Sequence, residues 1–486
     1  MSAIGIDLGT SAVKAVLLGE DGTLRAEAAA PLAVSHPHPL WSEQAPEEWW
    51  AATVTAMAGL RARADLSGVR GIGLAGQMHG AVLLDAGERV LRPAILWNDG
   101  RSGAECAALD PLARRIAGNL AMPGFTAPKL LWVHRHEPEL FAATRRVLLP
   151  KDWLRLKMTG EAVSDMSDAA GTLWLDVAAR RWSAELLAAS GLSEREMPRL
   201  VEGTEPTGTL RPELAREWGV AERAVVAGGG GDNAAAAVGL GCTAPGQAFL
   251  SLGTSGVIFV CDDRFRPAPE RAVHAFCHCL PDTWHRMAVI LAAAASLTWL
   301  AGVTGAASEA ALLEELGSAG VAAERGPVFL PYLAGERTPH NDPAAAGVLF
   351  GLESGTTRAD LTRAVLEGVA FALADGLEAL EEKGGKIAAL SVTGGGARSA
   401  LWGEILAAAL GRRLVYHAGG ESGPALGAAR LGRIAAGDGG VAEIARPPSV
   451  ARVQEPKAGL SASLGQRRAL FRRLYPDLAA SFKARL

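Results

Sequence analysis

The chain has 486 residues and a net charge of -4, with 49% hydrophobic and 21% charged residues. That length exceeds one ordinary core and predicts two large domains. The charge balance leaves no electrostatic footprint for nucleic acid, and no apolar run reaches the roughly 18–20 residues of a membrane span. The first residues run straight into a strand without a basic leader, and five cysteines are few for the length. These features predict a protein of the reducing cytoplasm.

Apolar runs at 4–7 and 13–18 flank Gly9-Thr10-Ser11 and predict two strands joined by a tight turn. A helix over 46–60 follows, then a buried strand over 69–75 that ends in the loop Gly76-Gln77-Met78-His79-Gly80. Residues 81–85 read as a returning strand and 94–97 as another, before Asn98-Asp99-Gly100-Arg101. Residues 101–220 read as mostly helical, broken at Pro111, Pro123, Pro128 and Pro150. A strand over 223–227 runs into Gly228-Gly229-Gly230-Gly231-Asp232-Asn233, and a small-residue helix covers 234–240. Thr243-Ala244-Pro245-Gly246 breaks the pattern and predicts two domains, 1–243 and 244–486.

The second half repeats the plan. Its opening hairpin, 248–260, carries Leu252-Gly253-Thr254-Ser255, the same tetrapeptide as Leu8-Gly9-Thr10-Ser11. A strand at 328–331, long helices and a strand over 387–393 lead to Gly394-Gly395-Gly396. A helix over 401–410, a glycine-rich turn at 419–423, a small-residue helix from Pro424 and a last helix near 464–474 complete the chain. Strands alternating with helices predict α/β layers, and the repeat predicts a duplicated fold. The N–H groups and hydroxyls of two such turns suit the two sides of a triphosphate.

Several residues suggest chemistry on their own. Asp7 ends a buried strand before the first turn; it suits Mg²⁺ held through water, or the capping of the turn. Asp232 stands at the tip of a glycine run, where a carboxylate serves either as a base beside an acceptor hydroxyl or as a helix cap. Gly394 to Gly396 end a strand where bare backbone can lie against a nucleotide. Gln77, Met78 and His79 offer an amide, a thioether and an imidazole to a polyol, or form an ordinary turn, and the 98–101 segment is equally open. His274, Cys277, His278 and Cys279 are spaced too tightly for a tetrahedral zinc site. Trp41, Trp49 and Trp50 read as packing anchors. The chain contains no Walker-type loop, and no Gly-x-Gly-x-x-Gly run follows its first strand to argue for a dinucleotide.

Taken together, these segments resemble the FGGY carbohydrate kinases, within the actin, hexokinase and heat-shock-chaperone ATPase superfamily. The resemblance runs over nearly the whole chain. It is carried by Ile6 to Ser11, Pro39 to Gln44, Gly76 to Gly80, Leu96 to Arg101, Met122 to Trp132, Leu149 to Asp152 and Asp165 to Ala169. Gly231-Asp232-Asn233, Ser251 to Gly256, Gly335 to His340, Gly394 to Arg398 and Ala425 to Ala429 extend it through the second half. It implies two actin/ribonuclease-H-like domains, mixed sheets flanked by helices, with the active site in the cleft between them. The Met78-His79 loop resembles that of members acting on D-xylulose, which implies transfer from ATP to give D-xylulose 5-phosphate. Other ketoses or polyols (ribulose, xylitol) and a non-catalytic actin-like ATPase are the alternatives.

The same resemblance implies the site. Asp232 would be the catalytic base and Asp7 the residue serving Mg²⁺. Met78, His79 and Asn233, with Asp232, would contact sugar. Gly9, Thr10, Ser11, Thr254 and Ser255 would line the phosphates. Gly394, Gly395, Gly396 and Arg398 would border the nucleotide. The partners implied are the sugar and MgATP, with no nucleic acid or membrane, in a cytoplasmic homodimer. Two departures stand out: the 228–231 run is one glycine longer than the family's, and Cys279 replaces a small apolar residue.

Overall fold

In the computed structural model, which describes residues 1–320, 326–419 and 423–485, the two hairpins seed two mixed sheets of the same plan. Strand Ser2–Leu8 pairs antiparallel with Ala12–Leu18, and Leu24–Pro31 adds antiparallel to the latter. Val69–Gly76 then lies parallel to Ser2–Leu8, Val225–Ala227 parallel to Val69–Gly76, and Pro206–Thr209 antiparallel at the edge. The second sheet repeats each step. Ala248–Leu252, Gly256–Asp262 and Trp284–Ile290 form the antiparallel set. Ala389–Thr393 and Arg413–His417 follow in parallel, and Val450–Gln454 closes the edge antiparallel. One addition distinguishes it: His274–Cys277 pairs with Trp284–Ile290. Burial on both faces of these strands drives the layering: Ile4, Ile6, Leu8, Leu250, Leu252 and Ile258 are fully buried, and so are Ala3 and Phe249 on the opposite faces.

The segment read as mostly helical differs from that expectation. Between 101 and 220, helices such as Thr126–His136, Pro150–Thr159 and Met166–Ala170 alternate with strands of two to four residues, among them Arg146–Leu148, Val163–Asp165 and Arg199–Val201. Strands that short carry too few residues to show a period of two. Pro128 and Pro150 lie in the first turns of their helices, where proline's missing N–H costs nothing, so they mark starts rather than breaks. Pro111 lies inside the helix Cys106–Leu112. The last helix is also longer than expected, Ala458–Ala484, and continues through Pro476. Of the turn expected at 419–423, residues 420–422 lie outside the described residues.

Small residues lock the halves together. The helix Gly423–Ala435, late in the chain, crosses the first-half sheet and the helix Asp232–Leu240 with backbone against backbone. A Cβ on Gly5 would meet the Ala425 carbonyl at 1.9 Å, one on Gly73 the Ala428 carbonyl at 1.7 Å, and one on Gly427 the Ala235 carbonyl at 1.7 Å. Glycine at these positions permits the close approach that joins this late helix to the first-half sheet. A mixed apolar cluster does the same beside it, joining Met78, Phe125 and Trp174 to Phe249, Phe276 and Met287.

Candidate active site

Asp232 and Asp7 are delivered by adjacent backbone. Strand Val69–Gly76 pairs on one side with Ser2–Leu8, in register Asp7 opposite Ala75, and on the other with Gly230–Gly231. Two carboxylates therefore converge at one end of the same sheet. Asp232 opens the helix Asp232–Leu240, with Gly231 as the capping residue. Its Oδ1 accepts the Asn233 backbone N–H at 2.7 Å and the Asn233 side-chain amide at 2.8 Å. Burial pushes its pKa up to about 6, against the lowering effect of the Asn233 hydrogen bonds. Asp7 is pushed up to about 7 by burial and by the Asp232 charge, with Lys14 opposing. Asp7 Oδ1 is buried and has no hydrogen-bond partner among the described residues. An orphaned carboxylate oxygen beside a second carboxylate fits a hard divalent cation such as Mg²⁺.

Each glycine before Asp232 answers a contact. Gly229 has a φ of +74° and lies where a Cβ would strike the Leu74 carbonyl at 2.1 Å. A Cβ on Gly231 would strike Met78 Sδ at 2.8 Å. Cys279 packs its Cβ 3.1 Å from where Gly230 would carry one. Gly230 thus leaves room for Cys279, and Gly231 for Met78. Met78 is buried directly behind the loop that presents Asp232.

His79 holds a φ of +70°, an uncommon conformation for a residue with a side chain. Its Nδ1 lies 2.6 Å from the Gly171 carbonyl. Burial, followed by the Lys129 and Arg337 charges, pulls its pKa down to about 3, so the imidazole is neutral. Nδ1 then carries the proton for Gly171, and Nε2 keeps a lone pair for a hydroxyl. A small cavity of about 40 Å³ is bounded by His79, Trp97, Met122, Phe125, His274 and Arg337. Arg337 faces His274 Nε2 at 3.3 Å. The adjacent Glu336 carboxyl is pushed up to about 8 by burial, so it gives Arg337 little counter-charge at neutral pH.

A larger cavity, about 400 Å³, joins the two halves. It is lined by Lys14, Asp232 and Asn233 on one side and by Ser251, Thr393, Gly394, Gly395 and Arg398 on the other. It adjoins a hollow of about 430 Å³ that shares Lys14, Thr393, Gly394 and Arg398 and adds Tyr416 and His417. Gly396 lies against Leu252 instead, where its Cβ would come within 2.5 Å of the leucine side chain.

The two expected phosphate turns differ in how they are held. Thr10 Oγ1 donates to Gln77 Oε1 at 3.2 Å and accepts from Trp97 Nε1 at 2.9 Å, while Gln44 binds the Thr10 carbonyl at 2.8 Å. Trp49 fixes Gln44 in turn, at 2.9 Å. Gly9 is half-buried and Ser11 exposed. In the second turn Thr254 is exposed and Ser255 half-buried, and the backbone N–H groups of Ala293, Ala294 and Ala295 donate to the Gly253 and Thr254 carbonyls.

Lys14, Thr393 and Arg337 line these cavities without standing out in the sequence, whereas Ser251 stands before the second turn where Asp7 stands before the first. Lys14 had a signal: it is a lone cation in an apolar strand, and the tight turn sets it opposite Asp7. Arg337, Trp97 and Phe125 belong to the segments that carry the resemblance, but only the fold brings them to His79.

Two family models divide the chain: the N-terminal domain of the FGGY family of carbohydrate kinases matches residues 2–239, and the C-terminal domain matches 248–436. The chain is 55% identical to a xylulose kinase of Escherichia coli (strain K12) over 480 residues, 98% of this chain and 99% of that one. Among solved structures, it superimposes on a xyloylose kinase from Brucella ovis with a TM-score of 0.96 at 53% identity, covering 99% of this chain and 100% of that one. A xylulose kinase from Rhodospirillum rubrum gives 0.91 at 30% identity over the same shares. The two like sheets, flanked by helices, are the actin/hexokinase-like fold of sugar kinases. With both domain models matched across most of its length, the chain belongs to the FGGY family of carbohydrate kinases.

Proposed function

We propose that this protein transfers the γ-phosphoryl group of ATP to D-xylulose, giving D-xylulose 5-phosphate and ADP. The observation that carries this reading is the place of Asp232. It lines the large cavity shared by both halves, and its loop packs directly on Met78, beside His79. Nucleotide on one side and sugar on the other would meet at this carboxylate.

Asp232 is the base. Its Oδ1 is held by Asn233, which leaves Oδ2 for the terminal hydroxyl of the sugar. A pKa of about 6 keeps it ionised at neutral pH yet basic enough to take the proton as the hydroxyl attacks. His79 Nε2 and Arg337 suit hydroxyl and carbonyl oxygens at the far end of the sugar. Lys14 and Arg398 place positive charge around the cavity that would take the triphosphate, with Gly394 and Gly395 offering bare backbone. Asp7 would hold Mg²⁺, directly or through water. The cation, when bound, neutralises phosphate charge.

Three further points belong to this reading. The domain cut lies at 243/244, supported by the two sheets, whose strands fall on either side of it. Five free cysteines, four of them buried, support a reducing cytoplasm. A homodimer follows from the resemblance, and sedimentation tests it. The activity is tested by ADP release over a panel of ketopentoses and polyols. D-xylulose is expected to give the highest kcat/KM; a higher value for ribulose or xylitol reassigns the substrate, and sugar-indifferent ATP hydrolysis rejects the kinase reading.

A further inference from the structure

The four glycines 228–231 have no side chains with which to hold themselves, so external anchors decide where Asp232 sits. At the entrance Arg155 donates to the carbonyls of Ala227, at 3.3 Å, and Gly228. At the exit the Gly231 N–H donates to Ser167 Oγ at 3.0 Å. Both anchors belong to one fully buried ionic cluster. Lys151 Nζ lies 2.6 Å from Asp152, 2.7 Å from Asp165 and 3.2 Å from Asp168, and Arg155 lies 2.8 Å from Asp152. The Ser167 hydroxyl donates to Asp165 Oδ2, and the same oxygen accepts the Ser167 N–H at 2.8 Å, capping the helix Met166–Ala170. That helix ends at Gly171, whose carbonyl accepts from His79. One five-residue helix, about 7 Å long at 1.5 Å per residue, therefore grips the loop of Asp232 at one end and the imidazole of His79 at the other.

We propose that Ser167, held by Asp165 and Lys151, is a positioning residue for phosphoryl transfer, fixing the separation of Asp232 from His79 through the helix Met166–Ala170. This rests on the reading of Asp232 as the base. A buried ion cluster is poor evidence for stability, because desolvation offsets most of its attraction. Here its products are geometric: a hydroxyl oriented by a carboxylate, and a glycine loop tied at both ends. Misplacing a reacting group by about 1 Å costs on the order of 10²-fold in rate.

The test compares the parent enzyme, Ser167→Ala and Asp232→Ala, measuring ADP release with and without D-xylulose. Ser167→Ala is expected to lose about 10²-fold in D-xylulose-dependent kcat. Its KM for ATP should match the parent's, because the side of the cavity around Gly394, Gly395 and Arg398 does not include this helix. Ser167→Thr, which keeps the acceptor oxygen, should recover part of the loss. If Ser167→Ala does not fold, Ser167→Cys keeps the volume, weakens the acceptor and should show the same split. Turnover within a few-fold of the parent, or a KM for ATP that worsens as much as kcat falls, overturns the proposal while leaving the kinase reading intact. Full turnover by Asp232→Ala removes the base and this inference with it.

Discussion

The two Leu-Gly-Thr-Ser turns share a sequence and a place in their sheets, yet their surroundings differ. Across the first hairpin Asp7 faces Lys14; across the second Ser251 faces Val257. The first turn is tied by side chains, with Gln44, Gln77 and Trp97 on Thr10. The second is tied through its backbone by the segment that begins the helix Ala294–Thr304, which leaves Thr254 exposed. Two like frames therefore differ in charge: the Asp7 and Lys14 pair stands on the first and has no counterpart across the second hairpin. The first turn is expected to act on the transferred group and the second to hold nucleotide.

That asymmetry can be broken in order of effect. Asp7→Asn should lower kcat by about 10²–10³-fold, since a carboxylate aimed at developing phosphate charge and its cation is lost. Ser251→Ala, at the equivalent position, should mainly raise KM for ATP, by about tenfold or less for one neutral hydrogen bond. Steady-state kinetics on the pair decide it, and equal losses in kcat would erase the asymmetry.

The pH dependence sharpens the assignment further. With a folded-state pKa of about 6, Asp232 becomes protonated as pH falls, so kcat/KM for the sugar should drop about tenfold per unit below pH 6. Its effect on stability runs the other way. The folded pKa lies above the ordinary carboxylate value of 3.8, so the folded state holds a proton that the unfolded chain releases. That contribution is present at low pH and is lost as pH rises through about 6. Asp232→Asn should therefore raise the unfolding temperature at pH 8, by about 2–4 °C, and make no difference at pH 4. A calorimetric scan at both pH values checks this.

The smallest expected effect concerns the seam between the halves. Gly427→Ala should destabilise the protein by about 1–3 kcal/mol, because a methyl group would overlap the Ala235 carbonyl. Denaturant unfolding reads the loss, which should exceed that of Gly395→Ala, where a Cβ meets open space.

Much of this plan was legible in the residues. Gly9 and Gly253 between apolar runs located both hairpins, and the glycine run pointed to Asp232, because such a run marks a sharp bend or a close approach of the backbone. What escaped notice depends on contacts distant in sequence. Lys14 became visible as a neighbour of Asp7 only through the hairpin register. Arg337 meets His274 across 63 residues. The helix Gly423–Ala435 looks like any alanine-rich helix until Gly5 and Gly73 are found beneath it. Thr10, expected to face phosphate, already spends its hydroxyl on Gln77 and Trp97, a network no local pattern announces. The short strands between 146 and 201 fall below the length at which alternation can be read.

The central claim is that Asp232 takes the proton of the sugar hydroxyl at a cleft built from both halves. It is tested most directly by D-xylulose-dependent ADP release from Asp232→Ala beside the parent enzyme, at saturating ATP and pH 8. A loss of about 10²–10⁴-fold in kcat, with KM for ATP unchanged, is the predicted result. Turnover by Asp232→Ala that matches the parent's would contradict it.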